Sequence, residues 1–164
     1  MLTKLLCRKT CAQCRLCCVF DSYDFRETPV FDRRMRDRIA SLLPDAAVVS
    51  AGTDSFRFRL TVTDDEGGCA CPLLDPENGC MLGEDKPFVC RLFPFRVMHL
   101  NGRRVIAVSP LCDALTEKPL AVLLRFVRDE LADPVFAYAA AHPDEVQPYD
   151  ALCPVLLWEP QTFD

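Results

Sequence analysis

The chain has 164 residues, half of them apolar and 26% charged; 11 are cysteine, and the formal net charge is −5. That length suits one domain with a sizeable core, and so apolar a composition excludes a disordered chain. An acidic balance argues against a nucleic-acid partner. No run approaches the ~18 apolar residues of a membrane span, so no membrane partner is expected either.

Met1 to Leu6 is too short for a signal peptide before Cys7, Arg8 and Lys9 interrupt it. With an odd cysteine count, this places the expected location in a reducing cytoplasm. Clustered thiols there serve metal or redox chemistry more often than disulfides. The first cluster is Cys11-Ala-Gln-Cys14-Arg-Leu-Cys17-Cys18. Gaps of two residues let a tight turn aim thiolates at one centre, as in zinc knuckles and in the C-x2-C-x2-C run of iron–sulfur proteins. Cys17 and Cys18 are adjacent, so their side chains diverge; one is free to serve a second centre, to bridge, or to pack.

After Pro29, Asp32 is placed to cap a helix whose apolar face is Met35, Ile39, Leu42 and Leu43, ended by Pro44. Arg33, Arg34, Arg36 and Arg38 fill its other side as a solvated face, with an anion or acidic-partner patch as the alternative. Phe56, Phe58, Leu60 and Val62 alternate with Arg57, Arg59 and Thr61, which predicts a strand with one buried face. Asp64 to Gly68 reads as a turn or loop.

The second cysteine group is Cys71-Pro72, Cys80 and Cys90, the last on a short helix begun by Asp85, Lys86 and Pro87. The gaps are too wide for a self-contained zinc finger and suit ligands gathered by the fold. Asn78-Gly79 turns the chain so that Cys71 and Cys80 approach each other.

Phe95–Leu100 and Arg103–Val108 flank Asn101-Gly102, a type I′ hairpin signal that pairs Leu100 with Arg103 and Val97 with Ile106. Phe95, Val97, Ile106 and Val108 then share the core face. His99 falls near the tip, an ordinary strand-end histidine rather than a ligand. Thr116 is expected to cap a helix with the stripe Leu120, Leu123, Leu124, Val127 and Leu131. Asp133-Pro134 is expected to open a further short helix ending near His142. The proline-punctuated tail is expected to be extended and anchored by burial of Val155, Leu156, Leu157 and Trp158.

Together, Cys11, Cys14, Cys17, Cys18, Cys71-Pro72, Cys80, Pro87-Phe88-Val89-Cys90-Arg91 and Phe93-Pro94 resemble the CxxCxxCC cysteine-cluster family, a zinc- or iron-chelating domain. The resemblance covers residues 11–94. Arg15 stands where the family often has Gly, Met81-Leu82 replaces an Ile-Tyr-like pair, and Lys86 replaces the Arg before the proline. A similar cysteine block occurs in flagellin lysine methylases, so the resemblance also permits a link to protein modification. Cys7, Cys11 and Cys14 separately resemble the C-x3-C-x2-C loop of radical S-adenosylmethionine enzymes. The strand–helix alternation of a barrel is absent, so Cys7 counts as an accidental or auxiliary thiol.

The sequence therefore predicts a single α+β domain over residues 1–164. It is expected to hold a small antiparallel sheet with a hairpin at 95–108, flanked by helices and organised around a cysteine-rich metal site. The candidate metal ligands are Cys11, Cys14, Cys17, Cys18, Cys71, Cys80, Cys90 and Cys112, the last by count alone. Cys7, Cys69 and Cys153 are left over. The expected cofactor is an iron–sulfur cluster, with [4Fe–4S] favoured by the serial cysteines, or zinc, in one or two centres. Four ligating thiolates with a +2 ion or core would shift the formal charge of −5 to roughly −7. Arg8, Lys9, Arg15 and Arg91 are the candidate local counter-charges. The expected role is metal binding, structural or redox. Alternatives are a metal-cluster-dependent enzyme of protein modification, or a zinc-stabilised adaptor for a protein partner. An enzyme has little side-chain support: no Ser–His–Asp or Cys–His arrangement, phosphate loop or dinucleotide fingerprint is recognisable.

Overall fold

Asp32 starts the first long helix, α1 (Arg33–Leu42), as its sequence position requires. It is extended (φ −74°, ψ 174°), and its Oδ1 accepts a 2.7 Å hydrogen bond from the Met35 N–H. This satisfies one of the amides that a first helical turn leaves open. A computed structural model describes residues 2, 4–7, 11, 14–21, 28–62 and 67–161. The chain divides into two compact units, residues 7–91 and residues 1–6 with 92–164.

In the unit of residues 7–91, α1 buries Ile39 against Phe31, Phe58, Leu73 and Leu82, with Met35 and Leu43 packed alongside. Leu42 departs from the expected stripe. It is 40% exposed, because the chain leaves the helix at Leu43 and Leu43 takes the core position instead. Three of the four arginines have local partners. Arg33 Nε lies 2.9 Å from Asp54 Oδ1 and Arg38 Nη2 lies 3.1 Å from Asp85 Oδ2. Arg36 bonds Asp37 and stacks 4.6 Å over the Phe56 ring. Exposed pairs of this kind contribute under about 1 kcal/mol each. They also leave little charge for an anion patch, and the solvated-face reading holds for these three.

Strands β2 (Phe31–Asp32), β4 (Ser55–Phe58) and β3 (Val48–Ser50) form a three-stranded antiparallel sheet in the order β2-β4-β3. The strand expected to reach Val62 stops at Phe58, where Val48 is its last partner, and Val62 is 58% exposed. Without a neighbouring strand, alternation alone does not extend a sheet. The turn expected at Asp64–Gly68 lies largely outside the described residues. Two small antiparallel pairs complete this unit: β1 (Val19–Asp21) with β5 (Gly68–Ala70), and β6 (Leu74–Asp75) with β7 (Gly79–Cys80).

In the other unit, β8 (Phe95–Leu100) and β9 (Arg103–Val108) pair in the expected register, Leu100 with Arg103 and Val97 with Ile106. Asn101 (φ 51°) and Gly102 (φ 75°) both take the left-handed conformation that a type I′ turn demands. The sheet is larger than the hairpin. Strand β11 (Val155–Trp158) adds antiparallel to β9, and β10 (Gln147–Pro148) adds parallel to β8. The expectation of one small antiparallel sheet is thus corrected to several sheets, one of them mixed. Pro148, which lacks an N–H, sits on an edge strand, where none is needed. Both faces of the hairpin are covered. Phe95, Val97 and Ile106 are buried, and so are Met98, Val105 and Ala107, which pack with Cys153, Tyr149 and Val155 of the tail.

Thr116 ends a one-turn helix (Asp113–Thr116) instead of capping the next, and its hydroxyl donates to the Asp113 carbonyl at 2.8 Å. Pro119 is the cap of the following helix (Leu120–Phe126), which runs through a π-helical turn (Val127–Leu131) into a third (Ala132–Ala141). Asp133-Pro134 thus lies in the first turn of this last helix, which ends at His142 as expected but follows the preceding turn without a break. Pro134 has no N–H for the Glu130 carbonyl, and the helix accommodates this by widening over the preceding turn. Leu123, Val127 and Leu131 are buried as expected, while Leu120 is 61% exposed. Strand pairing holds the tail more than burial does. Trp158 is 39% exposed, with the Arg103 guanidinium 4.9 Å above its ring. Among the described residues, no helix is long and apolar enough to cross a membrane.

Candidate metal centre

Cys11 and Cys14 are helical, and the helical conformation ends abruptly after Cys14. The Cys11 N–H donates to the Cys7 carbonyl (3.1 Å) and the Arg15 N–H to the Cys11 carbonyl (3.2 Å), the i to i−4 bonds of an α-helix. Arg15 then adopts a left-handed conformation (φ 54°, ψ 5°), and a 3₁₀ turn (Leu16–Cys18) follows. That reversal carries Cys17 and Cys18 towards the second cluster. The Cys71 N–H donates to the Cys18 carbonyl at 2.7 Å, and the β1–β5 pair fixes the two segments side by side.

Cys71 and Cys80 are brought together as Asn78-Gly79 suggested. The Asp75 carboxylate accepts from the Asn78 N–H (2.6 Å), the Glu77 N–H (2.9 Å) and the Asn78 side-chain amide (3.1 Å). These bonds hold Asp75 below the usual carboxylate range, the Asn78 backbone bond most of all. Gly79 (φ 83°) completes the turn, so that Leu74 faces Cys80 across the pair. A 3₁₀ turn (Gly83–Asp85), Lys86 and Pro87 then lead into a short helix (Phe88–Leu92) that carries Cys90.

Electrostatics record how these thiols face one another. Cys17 and Cys18 lie 3.8 Å apart at sulfur. The Cys18 S–H, donating to the Cys17 thiolate, lowers Cys17 to about 6 against its burial; the Lys86 cation and the backbone N–H of Cys17 lower it further. The same bond, with burial and the charges of Cys17, Cys71 and Cys90, pushes Cys18 far above an ordinary thiol. Burial raises Cys71 to about 11, helped by Cys80 and Cys17 and opposed by the Leu73 N–H. Cys90 is raised strongly by burial, then by Cys71, Cys80 and Cys17. Cys11 is raised by burial and by Cys17, Cys14 and Cys7, and opposed by Lys86. Cys11, Cys14, Cys17, Cys18, Cys71, Cys80 and Cys90 are thus linked as electrostatic neighbours through three separate segments.

Among the described residues, no three Cys, His, Asp or Glu side chains already stand at distances that hold one ion. Protonated thiols have no reason to converge, and rotation about χ1 is what brings cysteines onto a metal. The donor set fits the group implied by the sequence: sulfur throughout, suited to zinc or an iron–sulfur cluster, with a cation beside it. The eighth candidate, Cys112, stands in the other unit as the N-cap of the Asp113–Thr116 helix. Of the left-over thiols, Cys69 and Cys153 are each 1% exposed and pack in the interior.

Two residues of this region do more than the sequence assigned to them. Lys86, read as part of a helix start and as a replacement for arginine, supplies the positive charge felt by Cys11, Cys17 and Cys90. Its signal was its place just before Pro87, four residues from Cys90. Arg15, a proposed counter-charge, acts on Asp75, and Arg91 lies 5.7 Å over the Phe88 ring. Arg8 and Lys9 lie outside the described residues. The second residue is Cys7, an electrostatic neighbour of Cys11; its spacing of i, i+4, i+7 with Cys11 and Cys14 was visible throughout.

Residues 10–113 match the model of one family, described as "CxxCxxCC: Putative zinc- or iron-chelating domain". No curated protein and no solved structure matches the chain.

Proposed function

The chain belongs to the CxxCxxCC family of zinc- or iron-chelating domains, and from that premise we propose that it is a cytoplasmic metal-binding protein. Its Cys17, Cys18, Cys71, Cys80 and Cys90 thiolates, with Cys11 and Cys14 beside them, hold zinc or an iron–sulfur cluster in a structural or redox role. The observation that carries this reading is that the backbone brings the cysteine segments together: the Cys71 N–H bonds the Cys18 carbonyl at 2.7 Å, the Cys17 and Cys18 sulfurs lie 3.8 Å apart, and Cys71 and Cys80 pack against the same cluster. Thiols crowded together without a ligand are costly, because every ionisation raises the next. A metal ion reverses that sign.

The residues divide the work. Cys17 offers a thiolate near neutral pH, and Lys86 offsets its charge. Cys71 and Cys90 give up protons on binding, which couples affinity to pH. The β1–β5 pair and the Asp75-capped turn hold the backbone beside Cys18, Cys71 and Cys80 in place. Zinc bound there supplies cross-linking of three chain segments; an iron–sulfur cluster supplies one-electron chemistry as well. A four-thiolate centre is complete within residues 7–91 and does not require Cys112.

Anaerobic purification followed by metal analysis and an absorption spectrum tests the proposal. A broad band near about 400 nm with bound iron identifies a cluster, and a colourless zinc-loaded protein identifies zinc. A chain that carries neither metal, and takes up neither when they are supplied under reducing conditions, overturns the reading.

A further inference from the structure

Side chains of adjacent residues are expected to diverge, yet the sulfurs of Cys17 and Cys18 lie 3.8 Å apart. The 3₁₀ turn (Leu16–Cys18) brings them to one side of the chain. Both backbone groups of Cys18 are bonded, the N–H to the Arg15 carbonyl at 2.8 Å and the carbonyl to the Cys71 N–H at 2.7 Å, so the turn is held while the side chains remain free to rotate. Cys17 is exposed and Cys18 half-buried, so a small solute meets the Cys17 sulfur first. The spacing suits two mutually exclusive states. Two Zn–S bonds of ~2.3 Å hold a pair of sulfurs about 4 Å apart, so the pair as it stands spans one ion. A disulfide needs sulfurs about 2.0 Å apart, a closing that rotation about χ1 covers. Consecutive Cα atoms stand about 3.8 Å apart. That is short of the ~4.4–6.8 Å of ordinary disulfides, so a bond between neighbours is strained and readily reduced. An exposed thiol beside a resolving thiol is the arrangement of a reversible redox sensor.

We propose that Cys17 and Cys18 are a redox-controlled pair: hydrogen peroxide joins them as a disulfide, which withdraws two thiolates from the metal centre, and a thiol reductant restores them. The Cys17 thiolate attacks one peroxide oxygen, the O–O bond breaks, and hydroxide leaves and takes up a proton. The Cys18 sulfur then gives up its proton and attacks the Cys17 sulfur, the S–O bond breaks, and water leaves. In sum, two thiols lose two electrons and two protons, and one peroxide becomes two waters. A disulfide sulfur carries no charge, so the oxidised pair no longer competes for a metal ion. The proposal rests on the metal-binding reading above and adds regulation to it.

The test treats the reduced, metal-free chain with one equivalent of hydrogen peroxide, alkylates the remaining thiols and maps the peptides by mass spectrometry. Trypsin cleaves after Arg15 and Arg26, and the peptide of residues 16–26 contains no cysteine besides Cys17 and Cys18. That peptide is expected to lose two hydrogens and escape alkylation. The oxidised chain is expected to bind Zn²⁺ at least tenfold more weakly than the reduced chain in competition with a chromophoric chelator, and a thiol reductant to restore both. Cys18→Ser, which lacks the resolving thiol, is expected to trap Cys17 as a sulfenic acid and to take at least several-fold more dimedone there than wild type. A peptide 16–26 that stays doubly alkylated, a Cys17 linked to another segment, or equal dimedone labelling overturns the switch and leaves the metal centre standing. So does an oxidised chain that binds zinc as tightly as the reduced one. A reduced chain that takes up no zinc also overturns the switch, and if it carries no iron either, the metal-binding reading falls with it.

Discussion

The hydrogen bond between the adjacent thiols of Cys17 and Cys18 sets the reactivity of the metal-free centre. At pH 7 a thiol titrating at about 6 is about 90% thiolate, whereas one at the ordinary 9.0 is about 1% ionised. Population alone would make Cys17 roughly 90-fold faster with a small disulfide. The lower basicity works against it: a Brønsted slope of about 0.4–0.5 over three units costs roughly 15–30-fold in intrinsic nucleophilicity. The net advantage at neutral pH is only a few-fold, so a single rate is a poor test. At pH 5.5 the population ratio grows to several hundred and the advantage to roughly 30-fold. The pH profile is therefore decisive. Metal-free protein, treated with a chromophoric aromatic disulfide from pH 4.5 to 9.5 and mapped by mass spectrometry, is expected to react at Cys17 with a midpoint near 6. Cys18→Ala removes the S–H donor, and the midpoint should climb towards 9.0. A wild-type midpoint near that ordinary value, or one that Cys18→Ala leaves in place, would refute the assignment.

Stability of the metal-free chain should pass through a maximum with pH. Between about pH 6 and 9 the unfolded chain holds the Cys17 proton that the folded chain has lost, so stability rises. Between about 9 and 11 the folded chain retains the Cys71 proton that the unfolded chain loses, so stability falls, by at most about 3 kcal/mol from this group. Urea unfolding across that range checks both limbs, and a steady rise past pH 10 contradicts the second. Gly102→Ala should cost about 1–2 kcal/mol, because an added Cβ meets no atom within 4 Å and the penalty is the positive φ alone. Equilibrium denaturation reads this, and a neutral result would mean that the turn relaxes. Asp32→Ala should cost about 1 kcal/mol through loss of the cap to Met35. Asp32→Asn, which keeps an acceptor, should recover most of it.

What could be read from the residues was what local chemistry decides. Asp32 and the Met35–Ile39 spacing define a helix whatever surrounds them, and Asn101-Gly102 sets a hairpin register by itself. Features that depend on distant neighbours could not be read this way. Leu42 and Val62 carry the right apolar pattern but lack a partner surface, so both are exposed. Thr116 looked like a cap because it precedes an apolar stripe; Pro119 holds that position instead. The helix start read at Asp133-Pro134 is there, at Ala132, but the widened turn at Val127–Leu131 that joins it to the preceding helix was not legible. The covered second face of the hairpin depends on Cys153 and Val155, some fifty residues away in the chain. In the centre, cysteine order pointed to the ligand segments, but not to the cation beside them. Lys86 looked like a departure from the family pattern, and only folding shows its charge acting on Cys11, Cys17 and Cys90.

The central claim is that thiolates of this chain hold a metal. X-ray absorption at the edge of whichever metal accompanies the anaerobically purified protein tests it most directly. A first shell of sulfur alone at about 2.3 Å, with four sulfurs per metal atom, is the predicted result, joined by a metal–metal shell if the centre is an iron–sulfur cluster. A shell of nitrogen or oxygen at about 2.0–2.1 Å, or protein that carries no metal after reducing, metal-replete handling, would contradict it.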